Sequence, residues 1–173
     1  MKIYETNEIK NIALIGSKGS GKTTLAEAML FECGVIKRRG NIEAKNTVCD
    51  YFPVEKEYGY SVFSTVCYAE FLNKKLNVID CPGGDDFVGN AITALNVTDT
   101  GVLLVDAQYG VEVGTQNIFR TTEKVQKPVI FALNQLDGDK VDFDNVVQQV
   151  KEVFGNKIVL IQYPINPGAG YNA

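Results

Sequence analysis

The stretch "NIALIGSKGSGKTTLAEAML", residues 11–30, decides the fold of this chain. It opens with an apolar run of strand length and closes with a helical pattern, and between them Gly16 to Thr23 fit G-x-x-x-x-G-K-[ST]. Strand, glycine-rich turn and helix are the context that motif needs. The glycines let successive backbone N–H groups curl around a phosphate, and the helix N-terminus adds its dipole. Lys22 is then the group that bridges β- and γ-phosphate oxygens, while Thr23 offers its hydroxyl to Mg²⁺. The expected nucleotide-binding set here is Gly16, Ser17, Lys18, Gly19, Ser20, Gly21, Lys22, Thr23 and Thr24.

Working outward, apolar runs of strand length alternate with helical patterns, as expected of a mainly parallel sheet covered by helices. The expected strands are "NIALIG", "SVFSTVCYAEFL", "KLNVID", "GVLLVDA", "PVIFALN" and "KIVLIQY". Helices fit "KTTLAEAMLFEC", "DFVGNAITALNV", "GTQNIFRTTEKVQ" and "DFDNVVQQVKEVF". Only the polar "NKK" separates the second and third strands, too little for a crossover, so they should form an antiparallel hairpin. The fold class is therefore α/β, about six strands, mostly parallel, with one antiparallel edge strand and helices on both faces. Between Val35 and Ser61 about 25 residues lack any sustained period, which is long for an ordinary connection and marks a loop that is functional or disordered. Residues 1–173 read as a single domain.

Composition narrows the function. With 45% hydrophobic and 22% charged residues the chain can bury one core. No apolar stretch reaches the length of a membrane span and the opening segment is too polar for a secretory signal, so a cytoplasmic location is expected. A net charge of −4 argues against a broad basic face for DNA. "IKRRGN" is the one basic cluster. Cys33, Cys49, Cys67 and Cys81 form no C-x-x-C pair and the sequence has no histidine, which points to structural thiols rather than a zinc site. The lack of histidine also leaves any acid or base work to carboxylate, lysine, tyrosine, backbone or metal.

Two further segments complete a site. "NVIDCPGG" ends a strand at Asp80, placed to hold Mg²⁺ through water, and Gly83 offers its N–H to a γ-phosphate. "FALNQLD" supplies Asn134, Gln135 and Asp137 after the fifth strand. A carboxylate at 137 can accept from the ring N–H and the exocyclic amine of guanine, a pair adenine lacks. GTP or GDP with Mg²⁺ is the expected ligand.

Together these residues resemble the GTP-binding domain of translation elongation factor G, and more closely its bacterial elongation factor G-like paralogues. The likeness runs from about Asn11 to Ile165, with "RRGNIEAKNTVCDYFPVEKEYGYS", "CPGGDDFVGNAITAL", "DAQYGVEVGTQ" and "IQYPI" as its supporting segments. The resemblance implies a first switch loop over roughly Lys37 to Ser61, a second from Asp80 onward, and Ser61 in the place of a magnesium-contacting threonine. It also implies the ribosome as partner and translation as the process, with a monomeric domain that is the N-terminal part of a longer factor, since a Ser-Ala guanine loop of that family is not found here. Three positions depart from the family: Gly84 stands where it has histidine, Gly19 where it has aspartate, and Gln135 where it has lysine. The first departure predicts weak or lost hydrolysis. Lys18 and Asp85 are substitute candidates, and Gln135 predicts weaker binding with guanine preference kept. The alternatives are an ordinary ribosome-activated GTPase using another group and a phosphate-loop small-molecule kinase.

Overall fold

The computed structural model describes residues 3–155 and 158–169. Its strands are β1 (Ile9–Gly16), β2 (Thr65–Phe71), β3 (Lys74–Asp80), β4 (Thr100–Asp106) and β5 (Val129–Asn134). The helices are α1 (Lys22–Glu32), α2 (Pro53–Tyr58), α3 (Val88–Val97), α4 (Val113–Lys124) and α5 (Phe143–Phe154). The sheet order is β2-β3-β1-β4-β5, parallel throughout except for the antiparallel β2–β3 pair. That hairpin turns on Leu72 and Asn73, both in the left-handed region, which matches a two-residue turn to the strand twist.

Period-two alternation along the central strands separates two cores. Ala13, Ile15 and Leu103 face α3 and α4, where they pack with Ala91, Ala94, Leu95 and Ile118. Leu14, Val78 and Leu104 face the other way and pack with Ala26 of α1 and with Cys49. A third cluster joins Val105 to Val146 and Val150 of α5. Because β1 is paired on one side to β3 and on the other to β4, the chain departs in opposite directions from it. The crevice for ligands therefore opens at the C-terminal ends of β1, β3, β4 and β5. The register aligns Leu14 with Asp80 and Asp106 with Asn134, so the chemically interesting residues emerge along one edge.

Among the described residues the expected sixth strand is not formed. Lys157 lies outside the described residues, and residues 158–163 carry no strand pairing, with Val159 and Ile161 about four-fifths exposed (79% and 83%). Side chains rather than backbone tie this segment down. Tyr163 donates its hydroxyl to Asp144 at 2.9 Å and sets its ring edge-on to Phe143 at 5.0 Å, while Ile158 packs by the α5 cluster. The apolar run is real, but the anchor it finds is α5, so no ladder with β5 results.

The long aperiodic segment is more built than its sequence suggests. It contains α2, started by Pro53 at the first helical position. Two buried carboxylates hold the segment: Glu27 of α1 accepts from the Gly40 N–H at 2.8 Å and from the Val48 N–H, and Glu55 of α2 accepts from Val62 and Phe63, each at 3.0 Å. Charge-assisted bonds of this kind contribute about 1.5–3 kcal/mol each. Glu27→Ala is accordingly expected to cost about 3 kcal/mol in denaturant unfolding and to speed hydrogen exchange at Gly40 and Val48 ahead of the sheet amides.

Candidate functional site

Gly21 sits at φ 92 immediately before α1, a conformation that lets the loop wrap and turn its N–H groups inward. A Cβ at Gly21 would collide with the Asn134 amide, so the loop and the end of β5 touch here. Lys22 lies folded into the loop: its Nζ donates to the carbonyls of Ser17 at 2.8 Å and Gly16 at 3.1 Å. Burial lowers its pKa to about 8, against the opposing pull of Asp80. Ser17 in turn donates its hydroxyl to Glu112 at 2.5 Å, tying the loop to the start of α4. Gly83 comes close as well. A Cβ there would stand against Lys22 Nζ and 2.7 Å from the Ser17 carbonyl, so only glycine brings this backbone up to the phosphate loop.

Beside the loop, Thr23 donates its hydroxyl to Asp80 Oδ2 at 2.7 Å and lies 3.1 Å from the Ser61 hydroxyl. Ser61 also hydrogen-bonds Asp50, whose own pKa is raised by burial and pulled back by that bond. The second carboxylate oxygen of Asp80 is buried without a hydrogen-bond partner. An unsatisfied anionic oxygen next to two hydroxyls is a donor set that suits a hard cation such as Mg²⁺. Among the described residues no three carboxylate or thiol side chains converge on one point. A cation held by Thr23, Ser61 and Asp80 would thus depend on phosphate oxygens for the rest of its shell. What such an ion supplies is charge neutralisation between phosphates.

Burial raises the Asp80 pKa from 3.8 to about 7, with the Thr23 bond and Lys22 opposing. The sign follows directly. A carboxyl whose folded pKa lies above its unfolded one is easier to protonate when folded, so the metal-free domain loses stability as pH rises from about 4 to about 7. Asp80→Asn should therefore melt higher than the unmodified chain in chelator above about pH 7, with the gap closing on acidification. Saturating GDP and Mg²⁺ should reverse the order. Thermal melts across pH, with and without those ligands, check both halves.

On the base side, Asn134 donates its amide to the Ser20 carbonyl at 2.9 Å and Gln135 donates to the Gly19 carbonyl at 2.7 Å. Gln135 lacks the lysine charge yet still ties back to the phosphate loop. Asp137 lies exposed at the rim of the same cleft, a cavity of about 720 Å³ that runs from Thr23 and Ser61 to Asp137. Gly84 lines this cleft and Asp85 does not; the carboxylate of Asp85 lies alongside Gly114 at the start of α4. Lys18 lines it too, but its Nζ stands 3.6 Å over the Tyr60 ring. The cleft thus gathers Lys22, Thr23, Ser61, Gly83, Asn134, Gln135 and Asp137 from four separate segments. Sequence reasoning missed Asp50, Tyr60, Arg39, Gln108 and Glu112. Arg39 and Asp50 sit in the aperiodic segment, and no local pattern points from Glu112 to Ser17 or from Gln108 to Gln135 across 95 and 27 residues.

Several known proteins resemble this chain. The family model of the elongation factor Tu GTP binding domain matches residues 7–173. An elongation factor G-like protein of Thermotoga maritima is 37% identical over 95% of this chain and 23% of its own length. Elongation factor G of Petrotoga mobilis is 31% identical over 98% of this chain and 24% of its own. A solved structure from Thermus thermophilus superposes with TM-score 0.83 at 34% identity, covering 86% of this chain and 22% of that one. The chain spans about a quarter of the length of these curated relatives. Among the described residues no helix is long and apolar enough to cross a membrane.

Proposed function

The chain belongs to the family of the elongation factor Tu GTP-binding domain, and from that premise we propose that it is a guanine-nucleotide switch. In this reading it binds GTP and GDP with Mg²⁺, acts on the ribosome as part of the translation machinery in the cytoplasm, and turns GTP over slowly. Lys22 and the backbone of Gly16 to Thr24 take the phosphates, Thr23, Ser61 and Asp80 take Mg²⁺, and Asn134, Gln135 and Asp137 take the base. The N–H of Gly83 reports the γ-phosphate. The observation that carries the proposal is the pair of bonds from Asn134 to Ser20 and from Gln135 to Gly19. They set the guanine-reading loop at a fixed span from the phosphate loop, as one nucleotide lying across both would require. The experiment is a titration with fluorescent GDP. GDP and GTP should displace it at similar concentrations and ATP should not; displacement by ATP at concentrations like those of GTP would overturn the guanine reading. Slow turnover rests on Gly84, which lines the cleft without a side chain.

A further inference from the structure

Two loops meet beside the base-reading segment through a pair of amides. Gln135 holds a left-handed backbone, φ 59, and while its Nε2 donates to Gly19, its Oε1 accepts from Gln108 Nε2 at 3.4 Å. Gln108 is itself fixed. Its backbone N–H donates to Asp106 Oδ1 at 2.8 Å, and Asp106 is buried at the end of β4. Its side chain crosses Gly138 so closely that any Cβ there would collide with it.

A primary amide can turn over, exchanging its donor and acceptor ends. Turned over, Gln135 would set its own oxygen against the Gly19 carbonyl, two acceptors with no proton between them. The Gly19 carbonyl, which can only accept, sets the orientation, and the donor from Gln108 satisfies the Gln135 oxygen in that orientation. A lysine at 135 would need no such partner, because every hydrogen on its ammonium is a donor.

We propose that Gln108 is a positioning residue for the base site: it donates to Gln135 Oε1 while Gln135 Nε2 holds the Gly19 carbonyl, and so steadies the 134–137 segment where Asp137 meets guanine. This rests on the guanine-nucleotide reading above. The tie from Asn134 to Ser20 persists without it, so its loss shortens nucleotide residence rather than abolishing binding.

Release of fluorescent GDP from the full chain, followed by stopped flow, tests this. Gln108→Met fills the same space without a donor, and release should quicken roughly three- to tenfold, the scale of one hydrogen bond. Gln108→Glu, equal in size and also without a donor, should release at least as fast. Gln108→Lys keeps a donor and should release no faster than the unmodified chain. With Gln135→Met already in place, Gln108→Met should add nothing. Unchanged release in both Gln108→Met and Gln108→Glu, equal release from the Met and Lys variants, or additive effects with Gln135→Met would each overturn the inference. Failure of the unmodified chain to bind labelled GDP would overturn the nucleotide reading and this inference together.

Discussion

Replacing Asp137 by asparagine is expected to move the preference of the chain from guanine to xanthine nucleotides. In the proposed reading the carboxylate accepts from the ring N–H and the exocyclic amine of guanine, and a charge left without that pair is costly. Xanthine carries a carbonyl in place of the amine, which faces the carboxylate as acceptor against acceptor but takes a hydrogen bond from an asparagine amide. Sites that read a substrate through such groups commonly discriminate by roughly 10⁴ or more against a partner lacking them. Asp137 is exposed and reaches solvent when the cleft is open, so the loss should be smaller, about 10²-fold for GDP with a comparable gain for xanthosine diphosphate. Surface substitutions of this kind shift stability by about 0.5 kcal/mol or less, so an unchanged melting temperature should accompany the switch. Competition titrations with the two diphosphates read it. Equal loss of both nucleotides would show that Asp137 shapes the loop and does not read the base.

What was legible in the sequence was whatever local period and a compact motif encode. The strand, loop and helix around Gly16 to Thr23 form as expected, and so do the β2–β3 hairpin and the helices at 88–97, 113–124 and 143–154. The structure also brings Asp80 to Thr23 and Asn134 to the phosphate loop, because both lie at strand ends whose register the parallel sheet fixes. The rest depends on contacts without a local signature. Glu27 reads as a polar helix residue, yet it is fully buried and holds two loop amides 13 and 21 residues further along the chain. The short helix at Pro53–Tyr58 is too brief to show a period and is held by Glu55, whose carboxylate caps it and grips Val62 and Phe63. At the other end, "KIVLIQY" has the composition of a strand, but Tyr163 and Ile158 find partners on α5. An apolar run specifies that something will cover it, not that the cover will be a strand.

The largest kinetic effect is expected at Gly84. Its backbone is extended, φ −76 and ψ 142, so the position accepts a side chain without strain. It lines the cleft one residue beyond Gly83, at the position where the family it resembles carries histidine. A positioned acid or base contributes roughly 10² to 10⁴ in rate, and small GTPases without assistance turn over at about 10⁻⁴ per second. The unmodified protein should therefore still bind GTP and hydrolyse it at or below that background, with little stimulation by ribosomes. Asp85 is directed to Gly114 and Lys18 to Tyr60, so neither side chain is set to replace the missing group. In the full-length protein Gly84→His should raise ribosome-dependent phosphate release by about tenfold or more. A Cβ at 84 would stand 3.1 Å from the Phe87 ring, so the ring must shift by a few tenths of an ångström, and Gly84→His/Phe87→Leu should gain further. Gly84→Ala separates the two effects, since it adds the same crowding and no imidazole; it should leave turnover at background. Binding of GTP should hardly change in any of the three, because Lys22, Thr23 and Asp80 are untouched. Rapid ribosome-stimulated release by the unmodified protein would place the water-orienting group elsewhere, at Lys18, Asp85 or a ribosomal group, and loss of that release in Lys18→Ala or in Asp85→Ala would assign it to the one or the other.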